Sequence, residues 1–138
     1  MSNEAQHIAQ SNNPQILVTG ANGFVGSYLL RFLLDRGYTK IRAIYRKNSN
    51  LDLVKSISDR IEWVECDILD QVGLEDALKG VEQVYHSAAI ISFDRSQRKE
   101  MMKVNVDGTA NLVNLALLQG VKRLLQVRNI VKIQNRVI

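Results

Sequence analysis

The chain has very little of several things that would steer its architecture. Among its 138 residues stands one cysteine, Cys66, so no internal disulfide can form and no cysteine cluster can hold a metal. The expected part for that thiol is a small buried hydrophobe. A single proline, Pro14, argues against a long irregular or disordered architecture. The two histidines, His7 and His86, have no second histidine, cysteine or acidic cluster beside them, so no metal site is expected. There is no run of about 18 apolar residues and no charged-then-apolar leader. A cytoplasmic protein without a membrane partner is therefore expected.

Acidic residues are missing from one region only. Residues 1–121 carry 13 Lys/Arg and 14 Asp/Glu, whereas 122–138 carry five basic residues and no acidic one. The formal net charge of +4 is thus a property of the tail and not a patch on a folded face. That tail has no aromatic side chain on which a base could stack, and no nucleic-acid partner is expected. What the chain does have is 46% hydrophobic residues. At this length they suit one domain with a real core and not a full two-domain enzyme.

The stretch that organises the rest is 16–26, I-L-V-T-G-A-N-G-F-V-G. Ile16, Leu17 and Val18 read as a short buried strand. Gly20 suits a tight turn, Gly23 a close approach of backbone to a pyrophosphate, and Gly26 close packing of the following helix on the strand. The helix start then aims free amides at negative charge. Three glycines at this spacing say little alone; placed between a strand and a helix they point to a bound dinucleotide. Packing alone is the competing reading for those glycines.

The string T-G-A-N-G-F-V-G resembles the cofactor fingerprint of the extended short-chain dehydrogenases/reductases, the NAD-dependent epimerase/dehydratase family. The resemblance implies that Thr19, Gly20, Asn22, Gly23, Phe24, Val25 and Gly26 lie against the cofactor.

The remaining chain alternates strand and helix signals. A helix is expected over 23–36, stopped by Gly37, then a strand over 40–45 and a short helix over 51–58. Where an NAD site often carries an acid that binds the adenosine ribose hydroxyls, this chain offers Arg46 and Lys47. Cations there suit a 2′-phosphate, so NADP is expected over NAD; a solvated turn is the alternative. A strand over 61–65 leads to Asp67 and Ile68. By resemblance this pair contacts adenine, Asp67 accepting from its amine and Ile68 covering the ring edge. Asp70 reads as the cap of a helix over 74–78.

A strand over 81–86 ends in His86, Ser87, Ala88 and Ala89, which resemble the family's His-x-Ala-Ala segment beside the nicotinamide ribose and phosphates. Read from its own chemistry, His86 is a satisfied structural histidine. A loop over 90–96 precedes a long helix over 97–119. Within it, V-N-V-D-G-T-A-N-L resembles the family's asparagine motif, and Asn105 is the residue carried over, supporting a water and a helix kink that feed the catalytic lysine. A last strand is expected within 121–127.

Thereafter the resemblance stops. Relatives continue with a serine or threonine that polarises the substrate carbonyl, then Tyr-x-x-x-Lys, in which tyrosine donates a proton and lysine holds the ribose. Here Val127 is followed by Arg128 and Asn129, and none of Tyr28, Tyr38, Tyr45 or Tyr85 has a lysine four residues on. The expected organisation is a flexible leader over 1–15, a partial NAD(P)-binding domain over 16–127, and a basic tail over 128–138 outside the family pattern. The expected fold is α/β, a truncated Rossmann-type doubly wound parallel sheet in the order 3-2-1-4-5. The spacing and Ile91, Ser92 and Phe93 look most like dihydroflavonol-reductase-like or 3β-hydroxysteroid-dehydrogenase-like members. The implied activity of intact relatives is hydride transfer between carbonyl and alcohol, with this chain expected inactive. A non-catalytic dinucleotide-binding module and a ligand-free interaction fragment are the alternatives. Association through the helix over 97–119 is expected.

Overall fold

The computed structural model describes residues 13–87, 99 and 103–126. Five strands form one sheet: β1 (Ile16–Thr19), β2 (Ile41–Tyr45), β3 (Glu62–Glu65), β4 (Gln83–His86) and β5 (Arg123–Gln126). Their order is β3-β2-β1-β4-β5, and every neighbouring pair runs parallel. This is the doubly wound order, with its reversal at β1.

Alternation along the strands splits the apolar residues into two layers. On one face Ile16 and Val18 pack with Leu30, Leu33 and Leu34 of helix α1 (Phe24–Asp35) and with Val54 and Ile57 of a 3₁₀ helix (Asp52–Arg60). On the other, Leu17, Ile44 and Val84 pack with Leu74 and Leu78, from and just past helix α2 (Gln71–Ala77), and with Leu112 of helix α3 (Thr109–Leu118). Each such side chain taken out of water contributes roughly 1.5–3 kcal/mol.

Element ends follow local chemistry. α1 stops where Gly37 takes φ 91° and the Gly37 and Tyr38 amides donate back to Leu34 and Leu33, closing the last turn. Asp70 caps α2 by accepting from the Gly73 amide at 3.1 Å. That cap lets the helix begin at Gln71, three residues before the expected start. Arg42, on β2, reaches the carbonyls of Ala77 at 2.6 Å and Lys79 at 3.0 Å and pairs with Glu62 at 2.6 Å. It therefore caps the C-terminal end of α2. The segment after β2 forms a 3₁₀ helix where an ordinary short helix is expected.

Asn13 to Gln15, within the expected leader, are tied to the sheet. The Asn13 side-chain amide donates to the Thr39 hydroxyl at 2.6 Å, and the Gln15 carbonyl accepts from the amides of Glu82 and Gln83. The expected long helix is not one regular helix: a five-residue π-helical turn, Val104–Gly108, runs into α3. Residues 1–12, the loop over 90–96, Met101, Met102 and the tail over 128–138 lie outside the described residues.

Candidate functional site

At the C-terminal end of β1 the chain turns through Gly20, which holds φ 62°. The Gly23 amide donates to the Gly20 carbonyl at 3.1 Å, and Gly23 itself is the exposed residue that opens α1. Gly26 is buried against that same turn. A side chain there would put Cβ 2.7 Å from the Gly20 carbonyl carbon and 2.8 Å from the Ala21 α-carbon, with the Gly20 oxygen nearer still. At Gly23 an added Cβ meets nothing closer than 3.4 Å. So Gly26 is demanded by packing, whereas packing leaves Gly23 unexplained. The first turn of α1 holds no acidic residue, and helix geometry leaves its amides without carbonyl partners of their own.

Around this loop, Phe24 and Val25 are exposed. The Asn22 side-chain amide donates to the Asn50 carbonyl at 2.9 Å, and Asn50 Oδ1 accepts from the Asp52 amide at 2.7 Å. The phosphate-loop candidate is thereby latched to the segment after β2. Across the sheet, Asp67 is exposed at the end of β3, one carboxylate oxygen accepting from the Leu69 amide at 3.0 Å. Ile68 points into the core at 3% exposure and meets Gly108. Cys66 is buried as expected; burial, then Asp70 and Asp67, pushes its thiol up to about 11, leaving it protonated and unreactive at neutral pH.

Thr19 and His86 are fully or almost fully buried. His86 Nδ1 lies 2.7 Å from the Thr19 hydroxyl and Nε2 lies 2.9 Å from the Thr109 hydroxyl. The Ser87 amide donates to the Thr19 hydroxyl at 3.0 Å, and the Ser87 hydroxyl donates to the Thr19 carbonyl at 2.6 Å. Burial holds the imidazole down at about 4, so it is neutral at pH 7. Both of its ring nitrogens thus lie within hydrogen-bond distance of a threonine hydroxyl. Asn105 sits in the π-helical turn, and among the described residues its Oδ1 is buried without a hydrogen-bond partner. Such a turn is characteristic of functional positions. Ala88 and Ala89 lie outside the described residues. Sequence reasoning gave no part to Thr109 or Asn50, which depend on partners far along the chain.

The structure thus brings Gly20, Asn22, Gly23, Phe24 and Asn105 toward the C-terminal edge of the sheet, where the strand order reverses around β1. Ligands of open α/β sheets bind in that crevice. Fold and glycine turn together define a dinucleotide-binding domain of the Rossmann type. The model of the NAD dependent epimerase/dehydratase family matches residues 16–128, and the chain belongs to that family.

Among curated proteins, the chain is 41% identical over 107 residues to sterol demethylase protein B of Methylococcus capsulatus, covering 78% of this chain and 32% of that protein. It is 34% identical over 113 residues to cinnamoyl-CoA reductase 1 of Petunia hybrida, covering 78% and 33%. It is 32% identical over 120 residues to dihydroflavonol 4-reductase of Zea mays, covering 82% and 33%. The chain thus spans about a third of the length of the curated relatives it matches. Among solved structures, DesIV, a dTDP-glucose 4,6-dehydratase from Streptomyces venezuelae with NAD and TYD bound, aligns at TM-score 0.72 and 31% identity over 79% of this chain and 37% of its own. WbmG of Bordetella bronchiseptica, in complex with NAD and UDP, aligns at 0.73 and 29% over 86% and 38%.

These complexes overturn the expectation of NADP over NAD: both DesIV and WbmG carry NAD. The turn after β2 shows why its cations mislead. The Ser49 amide and hydroxyl both donate to the Arg46 carbonyl, at 3.1 and 2.6 Å, and Asn48 holds φ 64°. Arg46 and Lys47 are exposed members of this hydrogen-bonded turn, where cations are common without any phosphate to bind. Among the described residues no group of three His, Cys, Asp or Glu is placed to hold a metal, and no helix is long and apolar enough to cross a membrane.

Proposed function

We propose that the chain binds NAD as the dinucleotide-binding part of a hydride-transferring oxidoreductase. The observation that carries this reading is Gly23: an exposed glycine opening α1 with no packing need to be one. A side chain there would project where a pyrophosphate must approach the amides of the first turn. The residues present fit the group. Gly20, Gly23 and the amides of Phe24, Val25 and Gly26 would hold the pyrophosphate, Asn22 and Asn50 would shape the adenosine side, and Asp67 would accept from adenine. Asn105 offers its buried oxygen to a donor on the nicotinamide side. NAD would supply the hydride acceptor or donor; the chain's own residues bind and orient it. Domain limits of 16–127 follow the same reading.

The dihydroflavonol-reductase-like branch fits best, since named reductases of that kind are among the relatives. Carbonyl reduction or alcohol oxidation belongs to the intact fold. The 138 residues contain no Tyr-x-x-x-Lys, and positioned proton transfer contributes typically about 10²- to 10⁴-fold. The 138-residue polypeptide is therefore a binding module without turnover of its own. Calorimetric titration with NAD and NADP, alongside absorbance at the nicotinamide band with NADH and a panel of aldehydes and ketones, tests both parts. NAD binding without turnover is expected. Absence of NAD binding sinks the cofactor reading, and clear turnover sinks the module reading.

A further inference from the structure

The π-helical turn Val104–Gly108 needs something to hold it. Such turns are rare because their hydrogen-bond geometry and packing are poorer than those of an α-helix. Two contacts flank its C-terminal end. Gly108 lies so close to Ile68 that an added Cβ would fall 2.6 Å from Cγ2. One residue on, the Thr109 hydroxyl lies 2.9 Å from His86 Nε2. The imidazole is fixed in turn by the Thr19 hydroxyl, at 2.7 Å from Nδ1, and Thr19 is clamped at its hydroxyl and carbonyl by Ser87. A continuous chain of polar groups, buried at Thr19 and His86 and half-buried at Ser87 and Thr109, therefore runs from β1 through β4 to the first residue of α3.

We propose that Thr109, held by the His86 imidazole against Thr19, is the positioning residue that fixes the π-helical turn and, with it, Asn105. In this arrangement the Thr19 hydroxyl accepts from the Ser87 amide and donates to His86 Nδ1. Nε2–H then donates to Thr109. Without that bond, the segment relaxes toward a regular α-helix. Removing a one-residue bulge turns everything N-terminal to it by about 100°, and Asn105 leaves its buried position. The consequence for cofactor affinity rests on the proposed function; the relay itself does not.

The experiment uses the full 138-residue chain and two variants, Thr109→Val, which removes the hydroxyl at nearly constant shape, and Thr109→Ser, which keeps it. In the parent, nitrogen-15 spectra should show His86 as the Nε2–H tautomer with a solvent-protected ring proton, assigned by comparison with His86→Gln. A ring proton on Nδ1, or one in fast exchange with water, overturns the relay whether or not any variant folds. In Thr109→Val, amide exchange over 105–110 should rise at least tenfold while β1 and α1 stay within twofold, and Thr109→Ser should match the parent. Unchanged exchange, a rise spread evenly over the sheet, or no rescue by serine overturns the positioning role. NAD affinity should fall at least fivefold in Thr109→Val alone. A parent that binds no NAD sinks the proposed function while the exchange results still judge the relay. Equal affinity in parent and Thr109→Val sinks the link between turn and cofactor.

Discussion

His86 is the residue whose environment has the clearest thermodynamic signature. Its folded value of about 4 lies below the ordinary 6.5, so the unfolded chain binds the proton more readily between these two pH values. Stability is therefore fully present above about pH 6.5 and is lost as pH falls toward 4, by an amount on the order of 3 kcal/mol. Denaturant unfolding at several pH values should show this slope in the parent and a flatter one in His86→Gln. Equal slopes would show that the imidazole is not desolvated. The partners of this histidine were not legible in the sequence. Thr19 and Thr109 lie 67 residues before it and 23 after, and nothing local announces a pairing over such distances. Arg42 makes the same point. It caps a helix through the carbonyls of Ala77 and Lys79, which lie 35 and 37 residues further along the chain.

At the scale of elements, the strand–turn–helix of β1 and α1 separates two uses of glycine. Gly26→Ala forces a Cβ into the Gly20 backbone, which cannot yield as a flexible side chain would. A loss of roughly 1–3 kcal/mol or more is expected, read as a fall in the unfolding midpoint. Gly23→Ala meets only ordinary contact at φ −79°, so stability should change by less than about 1 kcal/mol. Its NAD affinity should nonetheless fall at least tenfold by titration. Equal stability losses in the two variants would return Gly23 to a packing role. The sheet order and the strand positions were readable because short apolar runs alternated with helical periodicity. The π-helical turn was not, because it depends on how closely Gly108 meets Ile68, a contact set by tertiary packing. NADP was read from Arg46 and Lys47 because charge is visible in a sequence, whereas the turn that accounts for their exposure is not.

For the whole molecule, β3 and β5 are the edges of the described sheet. β5 is short and largely exposed, and its Leu125, with Leu117 and Leu118 at the end of α3, is open to solvent, at 52%, 74% and 81%. Leu112 of the same helix is fully buried in the core. An unpaired strand edge beside exposed leucines is a template for association. Light scattering after size exclusion should therefore show the mass of the 138-residue chain rising with concentration. Leu117→Lys with Leu118→Glu should suppress the rise; a concentration-independent monomer of 15.6 kDa would show the face to be harmless.

The central place of β1 has a further consequence, for the order in which the molecule can be made. β1 leaves the ribosome before the other described strands and pairs with β2 soon after, but its other flank waits for β4, whose His86 lies 67 residues beyond Thr19. At elongation rates of about 5–20 residues per second, that flank stays open for roughly 3–13 s. During this time Leu17 has no partner from β4 or α3, and the half-sheet of β1, β2 and β3 is the species that a nascent-chain chaperone would meet.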